Sequence, residues 1–107
     1  MKPRALFVVV RDDLPPGLQL AQACHAARDF SLRHPGADVG ENLIALAATH
    51  PDLQDLVLRV AAGGLCLCVP VHEPDLGGQL TAAAFGSEAR PLLSCLPLAL
   101  RGLESAP

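Results

Sequence analysis

Cys24 and His25 put a thiol beside an imidazole, the two groups that a cysteine nucleophile and its base would need. Neighbours on a helix diverge by roughly 100°, so these two cannot meet as a catalytic dyad. His25 instead shares a flank with Arg28, three residues on. A lone helical histidine is more often structural than catalytic. Arg11, Asp12 and Asp13 form a dense charge cluster after an apolar run. Gly77-Gly78 has the composition of an anion cradle, and equally that of a plain turn.

The four cysteines, Cys24, Cys66, Cys68 and Cys95, contain no Cys-x-x-Cys pair, and no histidine stands at zinc-like spacing. No metal site and no cofactor are expected. Cys66 and Cys68 alternate with leucines in what reads as a strand, so both should face one side. The expected state is four reduced thiols, small buried hydrophobes in a cytoplasmic chain.

Short aliphatic runs and helical stripes alternate around these residues. Ala5 to Val10 is unbroken, rich in valine and too short for an ordinary helix, which suits a strand covered on both faces. Pro15, Pro16 and Gly17 force a turn. A helix over 18–33 follows, with Leu20, Cys24, Ala27 and Ser31 as its buried stripe and Ala23 and Phe30 beside it. After a loop at 34–41 comes a strand at 43–48. Thr49-His50-Pro51-Asp52 then reads as a capped start for a helix over 51–62, buried through Leu53, Leu56, Val57 and Val60 and ended by Gly63-Gly64. Strands at 65–71 and 80–85 flank a polar loop. Pro70 cannot donate to a ladder, which places it near an edge or where pairing lapses. A short helix begins near Arg90, Leu96 to Leu100 packs as an extended tail, and residues 102–107 read as frayed.

That order predicts a single α/β domain over 1–107, three-layer α/β/α, with a four-stranded mixed sheet and right-handed crossovers. Half the residues are apolar, yet Trp and Tyr are absent and only three Phe occur, so the core must be aliphatic. No apolar run approaches the roughly 20 residues that span a bilayer, and none suits a signal peptide. The net charge of −3, with eight Lys and Arg against eleven Asp and Glu, does not favour nucleic acid, where phosphate contacts supply most of the affinity.

The stretch Val-Val-Val-Arg-Asp-Asp-Leu, a turn, then Leu-Ala-Gln-Ala-Cys-His-Ala-Ala resembles the amino-terminal signature of the type II peptidyl-tRNA hydrolase family. The matching residues are Arg11, Asp13, Leu14, Ala21, Gln22, His25, Ala26 and Ala27. The resemblance resumes over Glu73 to Ala84, where Asp75 and Thr81 stand at the family's loop Asp and strand-opening Thr. It covers most of the chain, but its specific motifs lie only in these two pieces. The family's lysine before Ala-Gln is replaced by Pro15, Pro16, Gly17, Leu18 and Gln19, and the only lysine is Lys2.

The resemblance implies a compact α/β fold, no cofactor, and hydrolysis of the ester between a peptide or aminoacyl group and tRNA. It also makes a homodimer plausible. Such a reaction needs an activated water, a stabilised oxyanion and a grip on phosphate. On that reading Asp75 handles the water, Thr81 supports the oxyanion and His25 is a further catalytic candidate. Arg11, Arg28 and Gln22 bind substrate, while Asp13 holds the turn. A guanidinium cannot replace the missing lysine as a base. Two functions therefore stand side by side: an esterase acting on peptidyl- or aminoacyl-tRNA, and a non-catalytic relative that binds RNA or protein. A basic groove beside Asp75 and Thr81 favours the first, an apolar or acidic surface the second.

Overall fold

The computed structural model describes residues 3–100; Lys2 and the expected tail at 102–107 lie outside them. The elements are β1 (Ala5–Arg11), α1 (Pro16–Arg33), β2 (Asn42–Ala48), α2 (His50–Gly63), β3 (Cys68–Glu73), β4 (Gln79–Phe85) and α3 (Arg90–Leu93), with 3-10 turns at Pro74–Leu76 and Ser87–Ala89. They form a three-layer α/β domain with one mixed sheet, ordered β2-β1-β4-β3. β1 pairs parallel to β2 and antiparallel to β4, and β3 pairs antiparallel to β4.

β1 is buried along its whole length, as an unbroken aliphatic run predicts. Leu6, Val8 and Val10 face α1 through Ala23, Ala26 and Phe30. Phe7 and Val9 face α2 through Leu53, Leu56 and Val60. The chain steps from β1 outward to β2 over one face, then back across to β3 over the other. Opposite directions on opposite faces are what a common crossover hand requires.

The first helix is turned relative to the expected stripe. Its buried positions are Gln19, Gln22, Ala23, Ala26 and Phe30, while Leu20, Cys24 and Ser31 are exposed. The true stripe lies one residue earlier, a rotation of about 100°. Two glutamines deceive a hydropathy count: both are buried with their amide N–H groups hydrogen-bonded, although Gln19 Oε1 finds no partner among the described residues. Gln19 Nε2 donates to the Leu14 carbonyl at 2.7 Å, and Gln22 is bonded at both ends, as described below. Proline in the first turn supplies the fixed φ that starts α1 without a side-chain cap. The second helix keeps its expected stripe. Its Thr49 hydroxyl accepts from the Asp52 N–H at 3.3 Å, and Gly64 closes it in the left-handed region at φ 60°.

The third strand is displaced from 65–71 to Cys68–Glu73. Leu65 and Leu67 are exposed rather than laddered, so Cys66 precedes the strand. Cys66 and Cys68 still pack against the same α2-side cluster. β3 gains residues at its far end because the polar loop contracts. The 3-10 turn is followed by Gly77 and Gly78 at φ 68° and 75°, which lets Glu73 pair directly with Gln79. Pro70 does lie on an edge strand. The opposite edge, β2, is covered by the extended tail: the Ala47 N–H donates to the Pro97 carbonyl and the Ala99 N–H to the Ala45 carbonyl, both at 2.9 Å.

Candidate functional site

The carboxyl ends of β1, β2 and β3 and the start of β4 lie at one end of the sheet, and the charged and polar residues gather there on two flanks. On the α1 flank the organising feature is an irregularity in β4. Val71 lies opposite Ala82, but His72 lies opposite Leu80. Thr81 is thus the extra residue of a bulge, which resets the alternation of faces. Leu80 joins the α2-side core. Thr81 turns to α1, fully buried, and its hydroxyl donates to Gln22 Oε1 at 2.7 Å, with the Val71 carbonyl at 3.4 Å.

From Gln22 the network runs outward. Its Nε2 donates to Glu73 Oε2 at 3.0 Å, and Glu73 Oε1 accepts the Asp75 backbone N–H at 3.2 Å. The Gln22 amide, then the Asp75 N–H, hold the Glu73 carboxyl below the usual carboxylate range, with a smaller pull from His25. Glu73 is therefore an ionised carboxylate at the junction of α1, β3 and the 3-10 turn. Sequence reasoning assigned it no role. The readable signal was Glu73-Pro74-Asp75, in which the side chain caps the turn that Pro74 begins.

The residues expected to do chemistry are placed as follows. Asp75 is exposed on the turn and His25 is half-buried on α1, both beside Glu73. Thr81 and Gln22 are brought together, but beneath the surface. Arg28 is exposed and pairs with its neighbour Asp29 at 3.4 Å. Arg11 is on the other flank, and its guanidinium is engaged. Nε and Nη2 donate to the two Asp13 carboxylate oxygens at 2.9 and 2.6 Å; Nη1 donates to Gln79 Oε1 at 2.8 Å and to the Leu80 carbonyl at 3.3 Å. With its side chain 9% exposed, Arg11 ties the end of β1 to the bulged start of β4 instead of reaching out to a phosphate. Asp13 holds the turn, and Arg11 keeps its carboxyl below the ordinary range.

The α1 flank is consequently rimmed by Glu73 and Asp75, with Asp12 also exposed where β1 ends. On the α2 flank a cavity of about 500 Å³ opens between His50 of α2, His72 of β3 and Gln79 of β4. Among the described residues no group of three or more His, Cys, Asp or Glu is arranged to hold a metal ion, and no helix is long and apolar enough to cross a membrane.

No protein-family model matches the chain, and no curated protein matches it. Among solved structures, a protein of unknown function from Agrobacterium tumefaciens superposes with a TM-score of 0.72 at 10% identity, covering 92% of this chain and 98% of the other. That likeness is one of fold.

Proposed function

We propose that the chain is a non-catalytic relative of the type II peptidyl-tRNA hydrolases, a binding module that engages a protein surface rather than tRNA. The observation that carries this reading is the engagement of the groups on which hydrolysis depends. The Thr81 hydroxyl points its proton at Gln22 and is fully buried. The Arg11 guanidinium is spent on Asp13, Gln79 and the Leu80 carbonyl. An oxyanion needs a free donor and a phosphate needs a free cation. The rim itself is acidic, so it repels a polyanion, and the chain carries a net charge of −3. Purified protein should release no peptide from peptidyl-tRNA above background and give no retarded tRNA band at low ionic strength, where electrostatic binding is strongest. Saturable peptide release that disappears in Asp75→Asn would overturn the reading.

A second reading, an esterase acting on peptidyl- or aminoacyl-tRNA, is favoured by one observation. Gln22, Thr81 and Glu73 form one hydrogen-bonded chain, with Asp75 and His25 beside its outer end. On this reading Asp75 takes the proton from water, and the buried chain positions Glu73 and the turn that carries Asp75. Asp75→Asn keeps the shape and removes the base, so turnover should fall by a factor of about a hundred or more with folding intact.

A further inference from the structure

The α2 flank carries chemistry of opposite character to the α1 flank. The cavity there, about 500 Å³, is within the ordinary range for a small-molecule site. Its polar lining is His50, Gln54, His72 and Gln79, and no carboxylate lines it. Val57, Leu58 and Leu80 supply apolar wall. Asp52 and Asp55, on the same helix, line a different surface hollow with Leu56 and Arg59.

Three features give this cavity a sign. Gln79 Oε1 accepts from Arg11 Nη1 at 2.8 Å, which fixes the amide so that its Nε2 is left as a donor, backed by a guanidinium. The cationic charge of Arg11 is balanced by Asp13, whose half-exposed carboxylate lies near His50 but outside the lining, so what Gln79 presents to the cavity is a fixed amide donor. His50 is the first residue of α2, at the positive end of the helix dipole. Its Nε2 is shielded from solvent and finds no hydrogen-bond partner among the described residues, although such atoms are normally satisfied. Every polar side chain of the lining can donate a hydrogen bond.

We propose that this cavity binds a small organic anion, a carboxylate or phosphate monoester carrying a short apolar body. The head group meets Gln79 Nε2 and the His72 imidazole, beside His50 at the start of α2, and the body lies on Val57, Leu58 and Leu80. The site is on the opposite face of the sheet from Glu73 and Asp75, so it stands whether or not the α1 flank turns over a substrate.

The test is a titration of the isotopically labelled full chain, followed through the backbone amides of Gly78 and Gln79 and the ring signals of His72. The probes are hexanoate, butyl phosphate and hexylammonium. Saturable shifts with one or both anions and none with hexylammonium are expected, and the tighter anion identifies the head group. Leu58 is 69% exposed, so Leu58→Glu should fold normally while placing a carboxylate at the mouth; Leu58→Gln removes the same apolar wall without the charge, and the Glu variant should bind the anion about tenfold or more weaker than the Gln variant. Gln54→Glu, also on the exposed side of α2, repeats the test from a second position. Equal shifts with hexylammonium, no saturable shift with either anion, or wild-type affinity in both Glu variants would overturn the proposal.

Discussion

Arg11 is where residue type and residue role separate most clearly. A guanidinium at the end of a central strand has the chemistry of a phosphate ligand, yet four hydrogen bonds turn it inward. Arg11→Ala strands the Leu80 carbonyl and the Gln79 amide. The expected loss is about 1–3 kcal/mol in denaturant unfolding, mostly from the buried Leu80 carbonyl because Gln79 is exposed and the half-exposed Asp13 is screened. The pH dependence has a definite sign. The folded Asp13 carboxyl lies below its unfolded value, so its contribution is fully present above the unfolded pKa of about 4 and is lost as pH falls through the lower folded value. Urea midpoints of wild type and Asp13→Asn should differ by a constant amount at neutral pH and converge in acid. Thr81→Val keeps the volume but leaves Gln22 Oε1 without its donor in a site where Gln22 is 2% exposed. It should destabilise by about 1–3 kcal/mol, and a neutral result would remove Thr81 from the network described above.

At the scale of elements, local signals and packing contribute different things. The start of α2 is local: Thr49 caps it, Pro51 suits its first turn and Gly64 ends it. Thr49→Ala should lower stability by about 0.5–2 kcal/mol, measurable by thermal unfolding. The β3–β4 connection depends on two glycines in the left-handed region. A Cβ at Gly78 meets no neighbour within 4 Å, so Gly78→Ala isolates backbone strain and should cost about 1–2 kcal/mol. The rotation of α1 was hidden for a physical reason. Hydropathy ranks glutamine as a surface residue, but a glutamine whose amide is bonded at both ends, as in Gln22, is at home in a core. Leu20 was read as buried because it is apolar, yet nothing in the chain's own local structure draws it inward. The bulge at Thr81 was equally hidden. It depends on the register between β3 and β4, which an alanine run specifies weakly.

Over the whole molecule the core is mostly aliphatic, with all three Phe buried in it, the central strands β1 and β4 nearly all buried and α1 approaching them through two alanines and Phe30. The thiols report on this layering. Cys24 and Cys95 are exposed, whereas Cys66 and Cys68 are partly buried against the α2-side cluster. Burial, reinforced by Cys66, pushes the Cys68 thiol up to about 11, and burial raises Cys66 as well. Since the thiolate is the reactive form, alkylation of the native protein at neutral pH should label Cys24 and Cys95 first and Cys68 last, with all four labelled in denaturant. Rapid labelling of Cys68 in mass spectra of the native protein would contradict the packing described.

The alternation of short aliphatic runs with helical stripes was enough to specify a three-layer α/β domain with a mixed sheet, because burial period and turn chemistry are written locally. The capped start of α2, its buried stripe and the edge position of Pro70 follow from the same short-range rules. The candidate site was legible only in part. Gln22, His25, Asp75 and Thr81 do gather at one end of the sheet, near Glu73. Whether each is free to act depends on partners far away in sequence: Gln22 and Thr81 are 59 residues apart, Arg11 and Gln79 are 68 apart. A hydroxyl or a guanidinium looks the same in a sequence whether it faces solvent or a buried acceptor. Only the tertiary structure, through the bulge that turns Thr81 to α1 and the register that brings Gln79 over Arg11, decides which of them remains available.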